Sequence, residues 1–190
     1  AVAKSFKDKR IRYIKNRTNL GVAKSLNIGL KNSTGDLVAR LDADDIADKN
    51  RFKKQVTFLN THKDVGVVGS WVSLIDANGE LLGIKKYPQN YQKITRSIPF
   101  FNPVNHSTIF LRRELIDQCG GYDENLNGAE DYDLWLRLLK CTKIENIPEP
   151  LVQYRLLKQG VSFNNIQRVE KAFVKAKIKS VFVYHYPLWY

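Results

Sequence analysis

The stretch LVARLDADDIADKNRF, residues 37–52, decides how this chain is read. Leu37, Val38 and Leu41 make a short apolar run between Gly35 and a group of acids, the pattern of a buried strand. The run ends in Asp42, Asp44 and Asp45, three carboxylates within four residues. Like charges so close repel one another unless a cation sits among them. Magnesium or manganese takes carboxylate oxygens readily and keeps its other positions for phosphate and water. A second reading stands beside this one: a helix is expected from about Ala47 to His62, and acids near a helix N-terminus are favoured by capping and by the helix dipole.

Length and composition bound the alternatives. At 190 residues, with 43% hydrophobic and 26% charged, the chain has the make-up of one globular domain. Its apolar runs fall far short of a membrane span, and its opening residues do not read as a signal peptide. Cys119 and Cys141 are too few for a disulfide framework or a zinc site and are expected to be isolated packed thiols, which points to the cytoplasm. The net charge of +12 is carried by the ends: residues 1–17 hold seven Lys or Arg against Asp8, residues 155–180 hold seven against Glu170, and the centre balances at 17 of each sign. Such ends suit an anionic partner, either nucleic acid or an acidic bilayer.

Around the acidic run, RIRYIK (residues 10–15) alternates like a strand, and Val22 to Leu30 fit a helix. Strand, helix, strand in this order predicts parallel pairing, with ligands at the carboxyl ends of the strands. Val65–Ile75 reads as a strand in which Gly69 marks a bulge or a close backbone approach, and Leu81–Tyr87 as its hairpin return. Ser107–Leu111 is a further strand. Glu130 and Asp131 open an apolar helix on which Asp131 shares a face with Leu134, Trp135 and Leu138, so its carboxylate is expected to point inward. Asp133 and Arg137 are expected to point elsewhere and to have no function, while capping is the alternative role for Glu130 and Asp131. Lys143–Ile147 and Leu151–Leu156 read as two short strands around Pro148 and Pro150. Residues 166–180 form a basic helix with Ile166, Val169, Phe173 and Ala176 on one face, followed by the aromatic tail VFVYHYPLWY. Its make-up suits peripheral attachment to an anionic membrane.

The order of NLGVAKSLNIGL (19–30), TGDLVARLDADD (34–45), Arg51, VGVVGS (65–70), NHSTIFLRR (105–113), GGYDE (120–124), EDYDLWLRL (130–138) and LVQYR (151–155) resembles the family 2 glycosyltransferases, inverting enzymes of the GT-A fold. The resemblance covers about residues 11–163. It implies an α/β three-layer sandwich with a mixed, mainly parallel sheet that lacks the family's first β-α-β unit. It divides the chain into a partial GT-A domain, residues 1–163, and a C-terminal basic helix and aromatic tail, residues 164–190. It also implies transfer of a sugar from a nucleotide-sugar donor to an acceptor hydroxyl with inversion, in cell-surface polysaccharide or glycolipid synthesis. Asp42, Asp44 and Asp45 would bind donor, Asp44 would be the direct ligand of Mn2+ or Mg2+, and Asp131 the catalytic base. Glu130 and His106 would lie on the acceptor side. The acceptor would be a saccharide or a lipid-linked saccharide, and the location the cytoplasm, peripherally on the membrane face. The chain departs from the pattern in starting after the elements that build the nucleotide-base pocket, and in carrying Leu157 where members often carry a His. Two other readings compete. One is a nucleic-acid-binding module stacking bases on Tyr184, Tyr186 and Trp189, which leaves the DADD and ED clusters without purpose; the other is a catalytically silent remnant.

Overall fold

The computed structural model describes residues 5–157 and 166–186. The elements run α1 (Val22–Asn32), β1 (Leu37–Ala39), β2 (Ile46–Ala47), α2 (Arg51–Thr61), β3 (Val65–Ile75), β4 (Leu81–Lys85), α3 (Tyr91–Ser97), β5 (Phe110–Arg112), α4 (Arg113–Gln118), α5 (Glu130–Leu138), β6 (Lys143–Arg155) and α6 (Ile166–Phe182). A single 3-10 turn, His106–Thr108, precedes β5.

The strands form one mixed sheet in the order β1-β5-β3-β6-β2, with β4 paired to the far half of β3. The expectation of mainly parallel pairing is corrected here. β3 and β6 pair in parallel, whereas β1–β5, β5–β3, β3–β4 and β6–β2 are antiparallel. β1 still runs in the direction of β3, because β5 lies antiparallel between them. Residues 10–15 are not a strand: they enter none of the described ladders, and Ile11, Tyr13 and Ile14 are exposed. Alternation alone cannot make a strand without a neighbour to receive its backbone hydrogen bonds. The two short runs around Pro148 and Pro150 are one strand, β6, whose pairing with β3 shifts register beside those prolines.

Alternate residues of the central strands face opposite layers, as the strand period demands. Val67, Ile109, Leu111 and Ile144 pack into one large core with α1, α3, α4, α5 and α6, while Val68, Phe110 and Ile147 pack against α2 on the other side. The result is helices on both faces of the sheet. Gly69 is where the backbones approach: a Cβ there would collide with Asn146 Oδ1. At Gly121 the chain turns with φ 73°, and Asn27 bonds the N–H and the carbonyl of the next residue, Tyr122, fastening the GGYDE turn to α1.

Helix α5 is buried almost all round: Tyr132, Asp133, Leu134, Trp135, Leu136 and Leu138 are each at most 1% exposed. A single inward stripe therefore does not describe it. Asp133, expected to point away from the inward stripe, is wholly buried; it accepts hydrogen bonds from Arg137 Nε (2.9 Å), Lys179 Nζ (3.3 Å) and the Tyr184 hydroxyl (2.7 Å). The bonds from Lys179 and Tyr184 and the stacking of Tyr132 on Phe173 at 4.1 Å hold α6 on α5, and Ala172 and Ala176 join the same core. The Tyr186 hydroxyl donates to the Leu136 carbonyl at 2.7 Å, so Tyr184 and Tyr186 both direct their hydroxyls into the protein; Trp189 lies outside the described residues. Cys119 and Cys141 are neighbours, and burial, and then Cys141, push the Cys119 thiol up; Cys119 is half-buried, but Cys141 is exposed, so the expectation of two packed thiols holds for Cys119 alone.

Candidate active site

After β1 the chain crosses the end of the sheet to β2, and the acidic run occupies that crossing. A buried pair on α2 sets the backbone before it. Arg51, fully buried, donates from Nη2 to the carbonyls of Arg40 (2.7 Å) and Ile109 (3.1 Å), and from Nε to Gln55 (2.9 Å). Gln55 in turn donates to the carbonyls of Val68 and Thr108. Burial and the neighbouring Arg40 bring the Arg51 guanidinium down to about 10, still charged at neutral pH. Arg51 and Gln55 stand at i and i+4 of α2, which puts both on one face of the helix.

The three acids differ in environment. Asp42 receives Arg40 as an ion pair at Oδ1, its N–H donates to Ser107 Oγ (3.0 Å), and the Ser107 hydroxyl donates to its Oδ2 (3.1 Å). The Asp44 carboxylate is exposed and makes no hydrogen bond or ion pair among the described residues, although its backbone carbonyl accepts from Arg155 Nε at 3.0 Å. Asp45 is 8% exposed; Oδ1 accepts the Arg155 N–H at 2.9 Å, and Oδ2 makes no hydrogen bond of ordinary geometry among the described residues, although the nearby Ser107 hydroxyl favours the charged carboxylate. Burial first, and the charges of Asp42 and Asp44 after it, push the Asp45 carboxyl up. The Arg155 guanidinium also bonds the carbonyls of Asp76 and Ala77, stapling the acidic run to the β3–β4 turn.

One ligand atom from each of Asp42, Asp44 and Asp45 lies within 4.8 Å of the others. A buried carboxylate oxygen that no described residue satisfies, beside an exposed carboxylate that no described residue pairs with, is a donor set that a hard divalent cation satisfies. The residues present fit such an ion.

Asp131 is the second residue of α5 and is partly buried. Its Oδ1 accepts the Tyr132 N–H and its Oδ2 accepts Asn102 Nδ2, both at 2.7 Å. Burial first, then the adjacent Glu130, push its carboxyl up to about 6, with the Arg40 charge acting in the opposite sense. Glu130 is buried, and its Oε2 accepts the Gly128 N–H at 2.6 Å, closing the turn before the helix. His106 is buried behind them, with Nε2 at 2.8 Å from the Tyr122 hydroxyl and its ring edge-on to Trp135. Burial, and the Arg40 charge with it, hold His106 well below the usual histidine range, hence neutral.

Arg40 is thus the common neighbour: it pairs with Asp42 and its charge acts on Asp131, Tyr122 and His106. The acidic crossing and the start of α5, 85 or more residues apart in sequence, both feel the charge of one guanidinium. Motif reading overlooked Arg40, Ser107, Asn102 and Tyr122. Arg40 was readable, since a lone cation two residues before an acidic cluster is placed to pair with it; Asn102 carries no local signal.

The three-layer α/β fold with its mixed sheet is the GT-A fold, which solved glycosyltransferase structures share. Staphylococcus aureus TarS 1-349 in complex with UDP-GlcNAc superposes with a TM-score of 0.71 at 17% identity over 95% of this chain and 53% of that one. The mannosyltransferase PcManGT from Pyrobaculum calidifontis, in complex with GDP-Man and Mn2+, gives 0.60 at 20% identity over 88% and 44%. The family model for Glycosyl transferase family 2 matches residues 1–120, and the chain belongs to that family. Among curated relatives, the amylovoran biosynthesis glycosyltransferase AmsE of Erwinia amylovora is 35% identical over 138 residues, 72% of this chain and 51% of its own length. A UDP-Gal:alpha-D-GlcNAc-diphosphoundecaprenol beta-1,3-galactosyltransferase of Escherichia coli is 35% identical over 143 residues, 74% of this chain and 51% of its own. The chain therefore spans about half the length of these relatives.

Proposed function

We propose that this chain carries the catalytic acids of an inverting glycosyltransferase that moves a sugar from a nucleotide-sugar donor to an acceptor hydroxyl. The observation that carries the reading is the cluster of Asp42, Asp44 and Asp45 after β1, tied to Asp131 through Arg40, which pairs with Asp42 and whose charge acts on Asp131. Asp131 takes the proton of the acceptor hydroxyl as that oxygen bonds to the anomeric carbon. The bond from this carbon to the diphosphate oxygen breaks, and the nucleoside diphosphate leaves with the electron pair. A single displacement of this kind inverts the anomeric centre. A carboxylate with its pKa near 6 is ionised at neutral pH yet more basic than a free one, which suits a general base. Asp44, with Asp42 and Asp45 beside it, would hold Mn2+ or Mg2+, whose chemistry when bound is to neutralise the charge growing on the leaving diphosphate. Arg40 holds Asp42 in place, and Arg155 holds Asp45. Glu130 and His106 shape the acceptor side from within.

The acceptor in this reading is a saccharide or lipid-linked saccharide destined for a cell-surface polysaccharide, as the names of the two relatives suggest. A location at the cytoplasmic membrane face follows from such an acceptor. No helix among the described residues is long and apolar enough to cross a membrane. Contact would instead be peripheral, through the outer face of α6. The stripe expected from the sequence packs inward through Phe173 and Ala176; the opposite face exposes Val174, Ile178 and Phe182, one helical turn apart, flanked by the exposed Lys171 and Lys175.

The test is titration with manganese and a panel of nucleoside diphosphates, on the native protein and on Asp44→Asn. Manganese-dependent binding that the substitution abolishes supports the reading. Binding of nucleic acid that falls steeply with salt and ignores manganese would replace it with the nucleic-acid reading. No binding of any kind would mark a silent remnant.

A further inference from the structure

Asn102 lies in the segment 98–105 that joins α3 to the turn before β5, and this segment is fastened to α5 and β6 at several points. The Tyr132 hydroxyl donates to the Ile98 carbonyl at 2.8 Å, and Asn146 Nδ2 donates to the Pro103 carbonyl at 3.0 Å. The Asn102 side chain uses both of its ends: Oδ1 accepts the Val104 N–H at 3.3 Å, and Nδ2 donates to Asp131 Oδ2 at 2.7 Å. Its amide orientation is therefore set by the backbone of its own loop. The only other hydrogen bond to the Asp131 carboxylate among the described residues is the Tyr132 N–H on Oδ1, which comes from the same helix turn. A carboxylate held at one oxygen alone turns freely, because the last torsion of Asp is broad. Each carboxylate oxygen has two acceptor sites, so Oδ2 can hold Asn102 and still face a hydroxyl.

From this geometry we propose that Asn102 is a positioning residue of the transferase, fixing the plane of the Asp131 carboxylate so that one lone pair of Oδ2 points at the acceptor hydroxyl. This rests on Asp131 being the base. The bond also favours the ionised carboxylate, in the same sense as Arg40 and against burial and Glu130. The other titratable neighbours, Tyr122 and His106, stay neutral, since burial pushes the Tyr122 phenol up and the His106 imidazole down. Removing the bond both frees the carboxylate and makes it harder to ionise.

The experiment compares Asn102→Ala and Asn102→Asp with the native protein by carbon NMR titration of the Asp131 carboxyl, by the pH profile of kcat, and by the KM for donor. Asn102→Ala is expected to move the Asp131 titration and the acid limb of kcat up together, by about one pH unit. It should lower the pH-independent kcat by about 10- to 100-fold with donor KM unchanged. Asn102→Asp, isosteric but placing a second carboxylate against Oδ2, should move both limbs further in the same direction. Retained folding of either variant, checked by circular dichroism, is enough for the comparison. An unmoved Asp131 titration with unchanged kcat overturns the proposal, as does a variant whose donor KM rises in step with its loss of rate. Failure of the base assignment is distinguishable: Asp131→Asn would then keep its turnover whatever the Asn102 variants do.

Discussion

Asp131→Asn tests the link between activity and stability at this site. The folded protein holds the Asp131 carboxyl at about 6 against an ordinary 3.8, so the folded state binds the proton more tightly than the unfolded chain does. The contribution to stability is complete below the unfolded value and is lost as pH rises through about 6. A shift of this size corresponds to about 3 kcal/mol, and partial solvent access to the carboxylate trims it to about 1–2 kcal/mol. Asparagine keeps the size but supplies one acceptor where the carboxylate supplied two, for the Tyr132 and Asn102 N–H groups. That loss is a constant offset of about 1 kcal/mol, independent of pH. The stability of the variant relative to the native protein should therefore improve by about 1–2 kcal/mol between pH 4 and pH 8, as read by urea unfolding at a series of pH values. Turnover should fall by about 100- to 10,000-fold with donor affinity kept. A stability difference that is flat across this range would show that Asp131 is not held in a desolvated site, and retained turnover would remove it from catalysis.

Two further outcomes follow from the packing and the surface. Gly69→Ala should destabilise the protein by about 1–3 kcal/mol, because the new methyl meets Asn146 Oδ1 and the bonds from Asn146 to Pro88 and Pro103 must shift; an unfolding midpoint equal to the native one would contradict the close approach of β3 and β6. Ile178→Glu with Phe182→Glu should abolish flotation with anionic liposomes while leaving thermal stability unchanged, because both side chains lie on the exposed face of α6; equal flotation would reject membrane contact through that face.

The features readable from the residues alone are those that depend on neighbours a few residues away. Leu37–Ala39 delivering the acids, the long strand β3, the helix that begins at Glu130 and the close approach at Gly69 were all legible, because apolar periodicity, turn residues and the absence of a side chain act locally. The DADD and ED clusters were legible as chemistry for the same reason: their charge is dense in the sequence itself. The tertiary structure decided whatever needs a distant partner. Residues 10–15 alternate well, yet no described ladder admits them, and the direction in which β5 pairs with β1 and β3 cannot be read from its three residues. Asp133 resembled a surface acid until Arg137, Lys179 and Tyr184 supplied the bonds that make its complete burial tolerable. Asn102, 29 residues from Asp131, had no local mark at all, since an asparagine in a polar loop is ordinary until the fold lays that loop against a carboxylate. Periodicity reports which face of an element is buried, whereas the partner a polar group meets there is set by how the chain crosses itself, and the chemistry of this site depends on those crossings.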